Sequence, residues 1–396
     1  MNPKDHAIIL FKGETQYGVL NRFIEDIESA FVKDGQKFVT FDLRHNFESI
    51  KQQLVETLNT GQTLFALGIN CMGQFFSDNI SVYDILKIPH ISWLVDHPIH
   101  HFSKIDIPYD SKKQISHIPE KFGVIATIDD SHKQFIDITF NQHYGCLFLP
   151  HGGCVAKNDI ERSRHIDAVF CGTGISPEIY RQKIKEENIE DFRLTEKVVE
   201  LSSVKNERRN LLELTTKVFT EEQQKPDRKR FIKVMQNAER YWRAKERFRS
   251  LKVLDDNRIS VNIFGNGWEF ADFKIHRIRK ALSFEESLEV FQQSKLSLNS
   301  SSFFTHGAHE RIFSSMLNGA VSITSTSNYL DNLKGFNKVA EVFKTLDELP
   351  DRMADSLKKS KILREKSNAS KIFARKGHTF GHRALELRDT IWHCLN

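Results

Sequence analysis

The chain has 396 residues, 39% of them hydrophobic and 28% charged, with a formal net charge of +5. That length accommodates two domains with separate cores, and no apolar run approaches the ~20 residues that would cross a bilayer. The five cysteines (Cys71, Cys146, Cys154, Cys171 and Cys394) contain no C-x-x-C pair, which argues against a disulfide framework and a structural zinc site.

At the N-terminus the apolar run Ala7 to Phe11 is too short for a signal peptide, so a cytoplasmic protein is expected. A first strand reads over 6–12 around that run, and a Gly13–Gly18 loop leads to a helix over 19–33 with Leu20, Phe23, Ile24, Ile27 and Phe31 on one face. A strand over 37–43, an amphipathic helix over 47–58 and a strand over 64–69 follow. This β-α-β-α-β rhythm predicts a doubly wound parallel sheet. The opening turn lacks G-x-G-x-x-G, so no dinucleotide cofactor is expected.

A further strand over 89–95 runs into Asp96-His97-Pro98-Ile99-His100-His101, and strands over 122–127 and 146–149 lead to Pro150-His151-Gly152-Gly153. Asn70, Asp96, His97 and His151 all fall at carboxyl ends of strands, where an open α/β sheet binds its ligands. Asp96 or His97 is a candidate proton acceptor, with His151 the next. The alternatives are loop histidines and, at His151, a Gly turn needed by the chain path. The histidines of this loop are too closely spaced for a helical metal pair, and no metal site is expected.

Polar residues 155–165 mark a domain boundary, and Ile166 to Gly172 opens the second domain as a strand. A long helical stretch is expected from Pro177 to about Leu254, broken near Gln223–Pro226. Residues 221–258 hold 12 Lys/Arg against 7 Asp/Glu, an excess equal to that of the whole chain. The basic character is therefore local, and reads as a solvated helix face or as attraction for an anionic partner. The strand 260–264 is followed directly by Gly265-Asn266-Gly267-Trp268, whose glycines permit either close approach to a diphosphate or a tight turn. A helix from Ser283 carries a capping box with Glu286. Helices over 346–358, 361–375 and 385–395 complete the chain.

The stretch Asn299 to Thr326 organises the second half. Leu296 and Leu298 close a strand, Asn299-Ser300-Ser301-Ser302 supply polar groups at its carboxyl end, and His309-Glu310-Arg311 open a helix. Asn318-Gly319 stop that helix before the strand Ala320 to Ile323. A loop, a helix start and charged side chains thus converge where a phosphorylated ligand would sit. An ordinary βαβ unit with a solvated polar turn would show the same pattern.

The segment HERIFSSMLNGAVSITST resembles the donor-site segment of GT-B glycosyltransferases, in particular the group related to the spore-maturation protein CgeB. AVFCGTG (168–174), VNIFGNGW (261–268) and HTFGHR (378–383) fit the same group in order. The resemblance covers roughly 165–396 well and 1–150 loosely. It implies two Rossmann-like domains facing across a cleft: 1–160 on the acceptor side, 161–378 on the nucleotide-sugar side with a helical insertion, and a helix over 379–396 packing back on the first. It also implies a donor site at Gly265, Asn266, Gly267, Trp268, Asn299, Ser300, Gly307, His309, Glu310 and Arg311. In this reading the nucleotide diphosphate sits at the N-terminus of the helix opening at 308–311, with Arg311 on phosphate and Glu310 on hydroxyls. Glu310 complementing the helix dipole and Arg311 pairing with an acid is the alternative.

One departure stands out. The Glu-x7-Glu pair of many retaining relatives would fall on His306 and Ser314, so the usual ribose contact and the retaining outcome do not carry over.

The function expected is metal-independent transfer of a sugar, of hexosyltransferase type, from a nucleotide sugar to a glycan, lipid or protein acceptor, with no cofactor. Peripheral membrane contact is compatible with the sequence. A nucleotide-sugar epimerase or hydrolase on the same fold would bind the donor but need no acceptor. A non-catalytic protein binding an anionic partner through the basic 228–252 helix is the third reading. Phe231, Tyr241, Trp242 and Phe248 follow core spacing there rather than forming a stacking platform, so nucleic acid is not expected.

Overall fold

The computed structural model of the chain describes residues 2–45, 47–77, 80–102, 122–139, 145–160, 162–203, 210–225 and 227–395. Of the elements and boundaries read above, residues 161, 204–209, 226 and 396 lie outside that set. The chain forms two compact units, Met1–Cys154 with His378–Asn396, and Val155–Gly377.

The first unit is built on β1 (Ala7–Lys12), β2 (Phe38–Asp42), β3 (Thr63–Ile69), a hairpin of β4 (Phe76–Ser77) and β5 (Ile80–Ser81), β6 (His90–Leu94), β7 (Gly123–Thr127) and β8 (Gly145–Phe148). Six of these form one parallel sheet in the order β2-β1-β3-β6-β7-β8. Ile8, Ile9, Leu10, Phe65, Ala66 and Leu67 are fully buried, as the near-continuous apolar runs of a two-sided parallel sheet require. The helices are α1 (Val19–Asp34), α2 (Phe47–Asn59), α3 (Val82–Leu86) and α4 (His132–Thr139). Phe23, Ile24, Ile27 and Phe31 form the buried face of α1, and Gly35, at φ 76°, closes it in the left-handed conformation that glycine tolerates.

The second unit repeats the plan. Its strands are β9 (Ile166–Cys171), β10 (Asn262–Phe264), β11 (Arg277–Arg279), β12 (Ser294–Asn299), β13 (Val321–Ser325) and β14 (Glu341–Phe343), all parallel in the order β11-β10-β9-β12-β13-β14. The helical insertion comprises α5 (Pro177–Glu187), α6 (Ile189–Ser202), α7 (Leu211–Glu221) and α8 (Arg228–Asp256). The long stretch, read with one break near Gln223–Pro226, is four helices: α8 starts beyond that break with Asp227 as its N-cap, and Asn188 and Asn210 each accept backbone N–H bonds as N-caps and start two further ones. Next come α9 (Phe284–Gln292), α10 (Glu310–Leu317), α11 (Asn328–Asn332), α12 (Phe336–Val339), α13 (Leu349–Lys358) and α14 (Ser360–Gly377). Both halves of the Ser283–Glu286 capping box are present on α9. β11 and β14 were not legible in the sequence. Each is three residues long and lies at a sheet edge, and β11 is exposed along its length.

The chain returns to the first unit in α15 (Phe380–Leu395), which begins five residues before the sequence pattern suggested. Phe380 stacks on Phe23 of α1 with ring centroids 3.9 Å apart. Gly381 lets the two helices close up: a Cβ there would stand 2.5 Å from that of Ala30. Arg388, nearly buried, pairs with Asp34 at the end of α1, and Lys4 lies 3.2 Å from the same carboxylate. Burial by itself would raise the pKa of Asp34; the hydrogen bonds from Arg388 and Lys4 outweigh it and hold the carboxyl below its ordinary value. A lowered folded-state pKa gives stability that is present above the unfolded value, near 4, and is lost as pH falls through the folded value. Asp34→Asn should therefore destabilise the protein by about 1–2 kcal/mol at pH 7. The gap between the two proteins, measured by urea unfolding, should close below about pH 4.

Candidate donor and base sites

In the second sheet the strand order reverses between β9 and β12. Loops leaving two such neighbouring strands diverge in opposite directions and open a crevice at their carboxyl ends. Here those loops are Gly172–Ser176 and Asn299–His309.

The first loop is locked to the one after β10. Gly172 N donates to Phe264 O at 2.9 Å and Gly174 N to Asn266 O at 2.9 Å. Trp268 is 1% exposed, stacks on Phe270, meets Phe170 edge-on and donates its indole N–H to Gly172 O at 2.8 Å. A Cβ on Gly265 would fall 2.1 Å from Gly172 O, and one on Gly267, at φ +79°, 2.3 Å from Gly174 O. The Gly265-Asn266-Gly267-Trp268 motif thus has a packing reason: its glycines admit the neighbouring loop, and Trp268 belongs to the core. Asn266 alone of the four is exposed.

The second loop is tied down from its far side. Ser327 donates to Gly307 O at 2.7 Å, and the Asn328 backbone N–H to Thr305 O at 2.9 Å. The Asn328 amide donates to His306 Nε2 at 2.8 Å, which leaves the proton on Nδ1 for Thr305 Oγ at 3.0 Å. Ala308 is buried in the core. Asn299 donates to Ser322 Oγ at 2.8 Å, while its Oδ1 and the Ser300 hydroxyl are buried with no hydrogen-bond partner among the described residues.

At the helix start, His309 is the N-cap of α10 and its Nδ1 lies 3.2 Å from Arg311 N and 2.6 Å from Glu310 Oε2. One ring nitrogen serves one of these at a time, donating to the carboxylate or accepting from the backbone. Glu310 is 7% exposed. The guanidinium of Arg311, half-buried, has no hydrogen bond or ion pair among the described residues. Ser314, at the second position of the Glu-x7-Glu spacing, is fully buried.

The sequence reading missed the contribution of α8. Arg247 reaches out of that helix to donate to Thr173 O at 3.1 Å, and Glu246 is hydrogen-bonded to Ser302. Burial, then the positive charges of Arg243 and Arg311, lower the Arg247 pKa to about 9. Burial raises that of Glu246 against the opposing pull of Ser302, Arg247 and Arg249. Cys171, at the end of β9, is pushed up to about 12 by burial and feels both Arg311 and Glu310. The charges of Arg243 and Arg311 therefore act on Arg247, and Arg311 stands at the N-terminus of α10, where the helix dipole adds further positive potential. Arg243 retains a 3.4 Å ion pair with Glu239. The only sequence signal was the local excess of Lys and Arg over 221–258, whose periodicity does not distinguish a solvated face from one turned inward.

In the first unit the order reverses between β1 and β3. Asn70, in the left-handed region at φ 53°, accepts from Val95 N at 2.9 Å and so fixes the turn after β6. Asp96 is exposed there, and its carboxylate accepts no hydrogen bond from a described residue. His97 uses Nδ1 to accept from Ile99 N at 3.1 Å, and its ring packs 4.3 Å from His132 and 5.2 Å from Phe135. Burial, with a smaller push from His100, lowers His132 to about 3. His151 is 2% exposed and meets Phe23 and Phe380 edge-on. Its carbonyl accepts from Arg383 at 3.4 Å. Among the described residues no three His, Cys, Asp or Glu side chains converge as a metal site.

Residues 243–389 match the family described as "Glycosyl transferase-like", a segment that opens at Arg243 and includes Arg247, Trp268, Glu310 and Arg311. Among solved structures the chain is similar to AviGT4, a glycosyltransferase involved in avilamycin A biosynthesis, with a TM-score of 0.50 and 8% identity over 98% of each chain. Sucrose-phosphate synthase from Thermosynechococcus elongatus gives a TM-score of 0.49 at 8% identity, over 98% of this chain and 99% of that one. Anabaena HepE in complex with UDP and glucose gives 0.48 at 8% identity, over 97% and 98%. No curated protein matches the chain in sequence. At this identity the likeness is one of fold. The paired six-stranded parallel sheets have the two-sheet GT-B architecture, and residues 243–389 carry a segment similar to the glycosyl transferase-like family.

The loop interlock has a measurable consequence. Gly265→Ala forces a methyl group against a backbone carbonyl that cannot move without breaking the Trp268 bond. It should lower stability by about 2 kcal/mol or more in chemical denaturation, whereas Asn266→Ala, at the exposed tip, should change it by less than ~0.5 kcal/mol.

Proposed function

We propose that the protein transfers a sugar residue from a nucleoside-diphosphate sugar to an acceptor hydroxyl, with the diphosphate held between the N-terminus of α10 and the side chains of Arg247 and Arg311. The observation that carries this reading is the position of Arg247, which bonds Thr173 O at the end of β9 and whose pKa is lowered first by burial and then by the positive charges of Arg243 and Arg311. Like charges brought together in a partly dry crevice repel one another, and a dianion there removes the repulsion while accepting charge-assisted hydrogen bonds. The same groups stabilise the diphosphate as it leaves, when its negative charge is greatest. They do this without a metal ion. Glu310, an acceptor-only group when ionised, suits sugar or ribose hydroxyls.

For the base, the placement of the side chains favours Asp96. Its carboxylate accepts no hydrogen bond from a described residue, whereas His97 already spends Nδ1 on the backbone and His151 lies within packing. Deprotonation of an acceptor hydroxyl by Asp96, attack of that oxygen on the anomeric carbon and departure of the diphosphate balance the transfer. The reading further assigns the chain to the CgeB-related group, on the order of its four motifs, and to the cytoplasm, where nucleotide sugars are formed. The acceptor is a glycan, lipid or protein carrying a free hydroxyl.

Two measurements test this. Titration calorimetry with UDP, GDP and ADP should show that Arg311→Ala and Arg247→Ala each weaken the best of the three by about tenfold or more. Unchanged affinity in both would remove the diphosphate from this crevice. With an acceptor identified, Asp96→Asn should lower turnover by ~10²-fold or more while nucleotide affinity stays at the wild-type value; full turnover would exclude Asp96 as the base.

A further inference from the structure

A second concavity in the Val155–Gly377 unit shares no residue with the anion crevice. It is a groove of about 790 Å³ between the last turns of α8 and the connection from β10 to β11. Three aromatic rings form its apolar wall: Phe248 lies 5.7 Å from Phe270 and 5.9 Å from Phe273, centroid to centroid. Phe270 is 36% exposed, an unusual position for a phenylalanine that stacks on the buried Trp268 behind it. The wall is thus rigidly backed, and part of it is open to solvent.

The rim carries six charged side chains. Lys252 pairs with Asp256, and Lys274 with Asp272. Asp255 accepts the backbone N–H groups of Lys274 at 3.0 Å and Ile275 at 2.9 Å, which fixes the connection against the helix. Arg258, exposed and left-handed at φ 58°, has no side-chain hydrogen bond among the described residues. Three cations therefore face three carboxylates.

That balance selects the ligand. A nucleotide or other polyanion needs net positive potential, which this rim lacks and the α10 crevice has. A purely apolar ligand would leave the charged rim desolvated and unmatched. A neutral sugar chain satisfies both parts: its C–H faces lie against aromatic rings, and its hydroxyls donate to carboxylates and accept from ammonium and guanidinium groups. The volume is that of a small-ligand site. We infer that this groove binds a neutral oligosaccharide, so that the protein holds a glycan chain at a point separate from the site of transfer. The groove would act by raising the local concentration of a bound chain, through binding and with no bond made or broken.

The test uses the full chain with maltohexaose and cellohexaose as neutral probes, one α-linked and one β-linked, in calorimetry and saturation-transfer NMR. At least one should bind with a dissociation constant of about 1 mM or tighter. Phe270→Ala should weaken that binding about tenfold, and Asp272→Ala, whose side chain is 86% exposed in the native protein and so replaceable without loss of fold, severalfold. UDP affinity should be unchanged in both variants. Absence of binding by both sugars overturns the inference, as does wild-type sugar affinity in the two variants. If Phe270→Ala weakens UDP as much as the sugar, the groove is part of the nucleotide site and the inference falls. Loss of UDP binding in Arg311→Ala, with sugar binding kept, separates this site from the proposed donor site.

Discussion

The Val155–Gly377 unit depends on keeping like charges close together. Arg243, Arg247 and Arg311 would separate in a flexible chain, and their proximity raises the free energy of the unliganded protein. The fold holds them through rigid surroundings. Arg311 sits on the first turn of a short helix whose remaining side chains are almost all buried, and Arg247 projects from a 29-residue helix packed along its length. Glu239 and Glu246 moderate the repulsion without neutralising it. In the proposed site the arginines are thus held in place before any ligand arrives, so the cost of assembly falls on folding and not on binding.

That rigidity rests in turn on backbone fit. The loops after β9 and β10 approach so closely that their glycines leave no room for side chains, and Trp268 closes the arrangement with one indole hydrogen bond. The loop after β12 is held at Thr305, His306 and Gly307 by residues that follow β13. Loops are ordinarily the mobile parts of a fold; here each loop of the crevice is bonded to a neighbour, and the strand ends supply polar atoms that a ligand can satisfy. The first unit shows the same economy. Asn70, strained in the left-handed region, fixes the turn that presents Asp96, while His97 and His132 pack together beneath it.

The same loop from β10 to β11 has two faces with different chemistry. One face carries Trp268 and the glycines toward the crevice; the other carries Phe270 and Phe273 toward the aromatic groove. A single buried indole thus backs both surfaces.

Much of the architecture was already determined by the sequence alone. Apolar runs read as strands over 6–12, 64–69 and 320–323 correspond to β1, β3 and β13, because buried parallel strands are continuous apolar runs that few other elements imitate. Capping residues set the start of α9 and the end of α10, since those signals are local and act through a few backbone groups. The cluster His309-Glu310-Arg311 was legible as a helix start for the same reason. Only the tertiary structure decided what the basic face of α8 does, because whether an arginine on a helix meets solvent or a neighbouring loop depends on what packs there. It also decided that Trp268 is a core residue and that His151 is buried between helices 1 and 15. No pattern in neighbouring residues encodes those partners: Gly172 lies 96 residues from Trp268, and Phe380 lies 229 residues from His151.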